Sequence, residues 1–258
     1  LFQTKKELKD FLKEKEEAEH RIVGEKLQLF SITIERGKRY KEQHTLLWRS
    51  KGEALIHDLI KFWRKVHLKE GFELLMTSGD DITKAHQNFN SNKTTARYAE
   101  MRSLGFQGEI DPNLGLHNAN KFLVDRAHIF CLKENLCDEV ISSLKFLEEI
   151  PKMFSLGYSF AFTSSSEELK TVFQVSLEQV KEGRVTQAVV MIVDEFGREW
   201  EGPFLRIQKV QGGFLITRAT FDGLGRFIAL ILEAKGKDLS QKKEVLSRVK
   251  DLNYEIGI

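Results

Sequence analysis

The sequence has 258 residues, 41% of them hydrophobic, so it can bury one large core, yet its longest apolar run, residues 227–232, is far too short to cross a bilayer. Its 40 basic and 38 acidic residues leave a net charge of +2, which gives no general electrostatic argument for nucleic acid and leaves only a local patch open. Two cysteines, Cys131 and Cys137, exclude a disulfide framework and match no paired metal-ligand motif, which indicates a reducing, intracellular compartment.

Helices are predicted where apolar residues recur at helical spacing. In the first helix, lysines and glutamates surround one apolar stripe, so residues 1–30 are interpreted as a connector leading into the core. The second, third and fourth helices are predicted to end at Gly71, Pro151 and Gly183. The fifth is unusually apolar and should be buried, whereas the sixth is basic and amphipathic and is interpreted as a solvated face or a docking element. The predicted helices cover residues 5–23, 55–70, 134–150, 167–182, 221–234 and 240–252.

Strands are predicted where β-branched and aromatic residues fall between turn signals. Turns at residues 194–197 and 212–213 favour antiparallel pairing, and the polar stretch 80–95 is predicted to be a loop. The order of elements predicts an α+β domain over residues 31–240, with a mostly antiparallel sheet flanked by helices and a helical tail over residues 241–258. The predicted strands cover residues 72–75, 97–104, 120–130, 158–162, 185–193, 204–210 and 214–219.

Five strings, in chain order, carry a family resemblance. They are FQTKKELKDFLKEKEEAEHRIVGEKLQLF (2–30), LLWRSKGEALIHDLIKFWRKVHLKEGFELLMT (46–77), FLVDRAHIF (122–130), DEFGREWEGPFLRIQ (194–208) and TRATFDGLGRFIALILEAKGKDL (217–239). Together they resemble the catalytic domain of threonyl-tRNA synthetases, a branch of the class II aminoacyl-tRNA synthetases. The second, third and fifth strings are similar to class II motifs 1, 2 and 3.

This resemblance implies a definite chemistry. The family activates threonine with ATP and transfers it to tRNA, and a bound zinc holds the substrate amine and hydroxyl.

Motif 1 builds the class II dimer, but Ser78 stands where the family has the proline that ends this motif, which puts the dimer in doubt. No anticodon-binding domain is expected after motif 3.

The nucleotide site implied by the resemblance has lost arginines. Adenylate formation needs charge-assisted arginine contacts to the phosphates. The resemblance aligns the motif 2 arginines with Phe106, Asn118 and Asn120, none of which carries a charge. Phe122 remains where the family stacks adenine, and Arg226 remains where motif 3 binds phosphate. Core packing of Phe122 and a structural ion pair of Arg226 are the alternative interpretations.

The zinc set implied by the resemblance is also reduced. A catalytic zinc needs three protein ligands. Of the family's Cys, His and His only His128 remains, because Thr217 replaces the last histidine and no cysteine lies in the shortened segment before residue 95. Cys131 lies three residues from His128 on a predicted strand, so the two side chains point to opposite faces. No metal, and no other cofactor, is therefore expected.

The threonine contacts implied by the resemblance are largely replaced. Val124, Arg126 and Arg206 stand where the family has Gln, Asp and Gln, and only Asp125 is retained. Asp125 therefore joins Phe122 and Arg226 as a candidate for a residual nucleotide site, and no catalytic residue is predicted.

These losses predict a degenerate, non-catalytic paralogue. The favoured function is a structural or binding component of a translation-associated assembly, with a mitochondrial ribosome or tRNA as candidate partner and no membrane contact, in either the mitochondrion or the cytoplasm. One alternative is an active ligase with ATP and zinc, in which Arg97 or Arg102 would reach the phosphates. A regulator that binds tRNA or a nucleotide is the other.

Overall fold

The computed structural model describes residues 4–36, 42–77, 82, 95–105, 115–118, 121–175, 177–194, 197–233 and 239–255. The helices are α1 (Lys5–Ala18), α2 (His20–Lys26), α3 (Ser50–Lys69), α4 (Lys133–Met153), α5 (Glu167–Lys170), α6 (Leu224–Glu233) and α7 (Leu239–Glu255). The strands are β1 (Phe30–Arg36), β2 (Glu42–Trp48), β3 (Glu73–Leu74), β4 (Thr95–Gly105), β5 (Lys121–Cys131), β6 (Gly157–Ser164), β7 (Val180–Glu182), β8 (Thr186–Val193), β9 (Glu199–Val210) and β10 (Gly213–Ala219). Among these described residues, no helix is long and apolar enough to span a membrane.

Eight of the strands form one large sheet, in the order β3-β4-β5-β10-β9-β8-β6-β7, while β1 and β2 form a separate antiparallel hairpin. Pairing in the large sheet is antiparallel except at its edges, where β3 and β7 pair parallel with β4 and β6. β4 and β5 pair along their whole length, from Thr95 opposite Cys131 to Gly105 opposite Lys121. The α+β class with a mostly antiparallel sheet is therefore confirmed.

The two faces of this sheet differ in chemistry. One face packs against α4 and buries alternate apolar residues of the strands, among them Ala188, Val190 and Leu205. The fifth predicted helix is found as α6, which is buried along almost its whole length. Because successive side chains of a strand point to opposite faces, the residues between these positions form the second face, which carries the polar site.

The N-terminal helix is not continuous as predicted. Glu19 has an extended backbone, with φ −64° and ψ 135°, and separates α1 from α2. The break turns His20, Val23 and Gly24 into the core, while the described side chains of α1 remain largely exposed. At Gly24 a Cβ atom would lie 2.3 Å from the Phe30 ring, so only glycine allows this close packing. Burial of α2 therefore overrides the continuous helical pattern.

The predicted helix over residues 167–182 is wrong. α5 ends at Lys170, a 3-10 turn follows over Thr171–Phe173, and Gln174 takes a left-handed conformation with φ 52°. Val180 then begins β7, which pairs parallel with β6. The apolar residues of this segment therefore pack against the core and the sheet edge rather than on one helix face.

Two helix ends and the tail also differ from expectation. α4 continues through Pro151 to Met153, because Ile150 and Pro151 are buried and their packing offsets the lost hydrogen bond. α6 begins three residues later than predicted, at Leu224. In α7, Val249 is buried, and this helix contacts α3 rather than being a wholly solvated face.

The predicted loop over residues 80–95 lies almost wholly outside the described residues. The domain boundaries near residues 30 and 240 remain predictions.

Candidate functional site

A polar pocket of about 280 Å³ opens on the second face of the sheet. Its floor is built by β5, β10, β9 and β8, since Thr217 lies opposite Arg206 and Arg206 lies opposite Gln187 in the ladder. The pocket is lined by Arg126, Gln187, Val189, Glu201, Gly202, Phe204, Arg206, Gln208, Thr217 and Asp222. It therefore contains Arg126 and Arg206, two of the four positions where the resemblance puts residues that contact threonine.

Two guanidinium groups flank one aromatic ring in this pocket. The Arg126 Cζ lies 5.0 Å from the centre of the Phe204 ring, and the Arg206 Cζ lies 5.5 Å from it. Arg126 forms an ion pair with Asp222 at 3.1 Å, so its charge is compensated. Arg206 donates only to Gln187 Oε1, at 3.2 and 3.4 Å, and within the described chain no carboxylate lies in ion-pair range of it. Its positive charge is therefore the uncompensated one.

Asp125 points away from the pocket into the helix-covered core. It is 1% exposed, and its carboxylate accepts hydrogen bonds from Trp63 Nε1 at 3.1 Å and from the backbone amides of Thr220, Phe221 and Asp222 at 2.6, 3.0 and 3.2 Å. These bonds hold the turn before α6, where Asp222 has φ 50°. Asp125 thus positions the backbone that carries Asp222 at the pocket edge.

The other two nucleotide-site candidates, Arg226 and Phe122, lie on different elements, α6 and β5. Arg226, on α6, is part-exposed, and its Nη1 lies 4.0 Å from Asp222 Oδ2. Burial raises the pKa of Asp222, while the charges of Arg126 and Arg226 oppose this shift. The backbone of Phe122 pairs with that of Leu104 in the β4–β5 hairpin, and its side chain lies outside the described residues. Nucleotide binding by these residues remains a prediction.

His128 is buried beside the pocket, and the described residues around it form no zinc-binding set. Its Nδ1 lies 3.3 Å from Thr217 Oγ1 and its Nε2 lies 3.8 Å from Glu100 Oε1. Burial raises the pKa of Glu100, but its polar contact with His128 and the hydrogen bond from Thr77 outweigh it and leave the pKa lowered. Cys131 is buried at the end of β5, and burial raises the pKa of its thiol to about 11. One imidazole, one carboxylate and one hydroxyl do not fit the family's zinc, which takes three Cys or His ligands.

Comparisons with known proteins agree with the sequence resemblance. No protein-family model matches the chain. Threonine–tRNA ligase from Campylobacter jejuni subsp. jejuni serotype O:6 is 25% identical over 252 residues, which covers 80% of this chain and 41% of that protein. The crystal structure of the RNA-binding domain of threonyl-tRNA synthetase from Cryptosporidium parvum Iowa II matches with a TM-score of 0.69 and 18% identity, covering 84% of this chain and 72% of that chain. The domain is threonyl-tRNA synthetase-like.

The fold is shared more widely than the sequence. Giardia lamblia prolyl-tRNA synthetase in complex with prolyl-adenylate matches the synthetase-like domain with a TM-score of 0.58 and 9% identity, covering 82% of this chain and 51% of that chain. The synthetase-like domain spans about two fifths of the length of the curated relatives that it matches.

The synthetase-like domain contains a second buried cluster, which sequence reasoning missed. Glu233 accepts from His20 Nδ1 at 2.6 Å, from His117 Nε2 at 3.0 Å and from Arg198 Nη2 at 2.8 Å. The Leu116 amide donates to His20 Nε2 at 2.9 Å, so the proton of this imidazole lies on Nδ1, facing Glu233. Burial raises the pKa of Glu233, but the hydrogen bonds from His117 and His20 hold it well below its usual value.

The three ligand-type atoms of His20, His117 and Glu233 lie within 4.8 Å of one another. A metal on His20 Nδ1 would have to displace the proton that faces Glu233, so the cluster acts as a set of hydrogen bonds that joins α2 to α6. Gly115 lies beside this cluster, where a Cβ atom would lie 2.4 Å from His20 Nε2, but a single glycine in the sequence does not predict such a contact.

Proposed function

We propose that this synthetase-like domain does not activate threonine and serves as a binding or structural component of a translation-associated assembly. The observation that carries the proposal is the pair Arg126 and Arg206, whose guanidinium groups flank Phe204 inside the pocket. By resemblance, these two positions hold Asp and Gln in the threonine-activating enzymes. The domain therefore presents the positive charge of Arg206 at a position where, by the resemblance, those enzymes contact threonine.

The magnitude of this change is large enough to matter. Two unit charges of like sign about 5 Å apart repel by roughly 3 kcal/mol at an effective dielectric constant of about 20. Each 1.4 kcal/mol is a factor of ten in affinity, so an ammonium group at this distance from Arg206 would bind roughly a hundredfold less tightly. Among the described residues, the polar neighbours of His128 are Thr217 and Glu100, which do not make up the three Cys or His ligands of the family's zinc.

A threonine-dependent pyrophosphate exchange assay with ATP, combined with a zinc determination on the same sample, tests the loss of activity. We expect no exchange above background and less than stoichiometric zinc. The Campylobacter jejuni threonine–tRNA ligase, assayed in parallel, is the positive control. Threonine-dependent exchange by this domain would overturn the proposal and favour an active ligase.

The partner is tested by native purification. We expect the protein to travel with ribosomal particles of the mitochondrion or the cytoplasm. A second candidate, a regulator that binds tRNA, is favoured by the similarity to the RNA-binding domain of the Cryptosporidium protein. Elution away from ribosomal particles with bound tRNA would support that regulator and contradict the ribosomal assembly.

A further inference from the structure

We infer that the pocket binds a singly charged carboxylate group through Arg206. This inference rests on the proposed loss of threonine activation and names the ligand class that the altered pocket selects. Arg206 is part-buried, and among the described residues its guanidinium donates only to the neutral Gln187 oxygen. A charge taken from water without a charged partner is unfavourable unless a ligand supplies one.

The geometry fits a small planar anion. A guanidinium group offers parallel N–H donors that match the two oxygens of a carboxylate, and bidentate pairs of this kind are among the stronger hydrogen-bonded contacts. Thr217 and Gln208 line the same pocket and add a hydroxyl and an amide. The volume of about 280 Å³ is many times the roughly 10–15 Å³ that a single water molecule needs.

The charges that line the pocket limit the ligand to one negative charge. Arg126 is paired with Asp222, and Glu201 lies at the same pocket, so the two arginines and the two carboxylates of the lining cancel. Among the described residues, Arg206 is the arginine of the lining that has no carboxylate in ion-pair range. A triphosphate would add several negative charges to those of Asp222 and Glu201 in the same pocket, whereas one carboxylate adds a single charge that Arg206 can compensate.

Threonine and N-acetylthreonine provide a direct test, because they share a carboxylate and a side chain but only threonine carries an ammonium group. Binding is measured by ligand-observed NMR at constant ionic strength, without ATP. We expect N-acetylthreonine to bind at least about tenfold more tightly than threonine, and acetate to compete with it. Arg206→Gln should weaken N-acetylthreonine binding by roughly tenfold or more, whereas the exposed Arg64→Gln should not.

The folded state of each variant is checked by circular dichroism. Arg206→Lys keeps the charge but loses the planar pair of donors, so it should bind with intermediate affinity. Equal binding by the wild type and Arg206→Gln, or binding of threonine as tight as that of its N-acetyl derivative, would overturn the inference. Pyrophosphate exchange could still be absent in either case. Failure of this inference is therefore distinguishable from failure of the proposed function, which only threonine-dependent exchange would overturn.

A second arm of the same experiment identifies the source of the carboxylate. A free small acid and the acidic side chain or C-terminus of a peptide share this chemistry. Tighter binding of a peptide that ends in threonine than of N-acetylthreonine would assign the pocket to a protein partner, and equal affinity would assign it to a small molecule. Orthophosphate that bound more tightly than every carboxylate would contradict the ligand class.

Discussion

At the scale of single residues, His67 is a titratable group whose pKa is strongly changed by its surroundings. Its ring lies at the C-terminal end of α3 against Trp63, Phe72 and Phe146, and its Nδ1 lies 2.7 Å from the carbonyl oxygen of Trp63. Burial, aided by the charge of Arg218, lowers the pKa of His67 from 6.5 to about 3. The folded protein therefore keeps this imidazole neutral.

The free energy of unfolding should depend on pH through His67. Below pH 6.5 the unfolded chain binds a proton that the folded chain rejects until about pH 3, so stability is lost as the pH falls through this window. The loss approaches about 1.4 kcal/mol per pH unit, or roughly 2 kcal/mol between pH 6.5 and pH 5. Urea unfolding at pH 7 and pH 5 should show a smaller pH dependence for His67→Gln than for the wild type. The exposed His57→Gln, on the same helix, is the control, and an equal change of slope in that variant would contradict the prediction.

Residue roles that depend on contacts distant in sequence were the hardest to predict. His20 and Glu233 are 213 positions apart, and Asp125 lies nearly 100 positions before the amides that it holds. The sequence pattern fixes neither contact, because only the packing of α2 and α6 on the sheet brings these groups together. The retained Asp125 could be noticed from the resemblance, but not the direction in which its carboxylate points.

At the scale of elements, local patterns predicted most of the sheet. β8 and β10 are nearly continuous β-branched or apolar runs between turn residues, and the predicted strands match them closely. The failures occur where burial competes with a helical pattern, as at Glu19, or where a left-handed residue such as Gln174 redirects the chain to an edge strand. Single-residue conformations of this kind have no signal in apolar periodicity.

The packing of α7 provides a prediction at this scale. Val245 and Val249 are 3% and 0% exposed, and Lys242 donates a hydrogen bond to the carbonyl oxygen of Leu232 at the end of α6. Val249→Ala removes buried methyl groups and leaves a cavity, which should cost about 1–3 kcal/mol. Urea unfolding measures the loss, and hydrogen exchange over residues 239–255 should show faster opening.

Ser247→Ala is the matched control, because Ser247 is exposed on the same helix. If both variants unfold at the same urea concentration as the wild type, α7 contributes nothing to the stability of the domain. The helix would then be the solvated face that its basic, amphipathic sequence first indicated.

At the scale of the whole molecule, the resemblance to class II synthetases raises the question of a dimer. Their dimer is built by motif 1, which corresponds here to α3 and the strand after it. The exposed residues of α3 are mostly polar or charged, with Ala54 and Leu68 as the apolar exceptions. The exposed residues of this helix are Ser50, Lys51, Glu53, Ala54, His57, Lys61, Arg64, Leu68 and Lys69. A homodimer interface is usually far more apolar, with charged residues depleted at its centre.

We therefore expect the chain to be a monomer, with a mass near 29.8 kDa in sedimentation equilibrium. Burying Lys61 and Arg64 against the same surface of a second copy would remove their charges from water with few apolar contacts in return, and this cost disfavours association. Leu68→Glu is the diagnostic variant, since Leu68 is 53% exposed and is the largest apolar side chain on that surface. A wild-type mass of twice 29.8 kDa that returned to 29.8 kDa in Leu68→Glu would contradict the prediction and identify α3 as a dimer interface. An unchanged monomer in both proteins would instead leave the polar surface of α3 exposed to other partners in the proposed assembly.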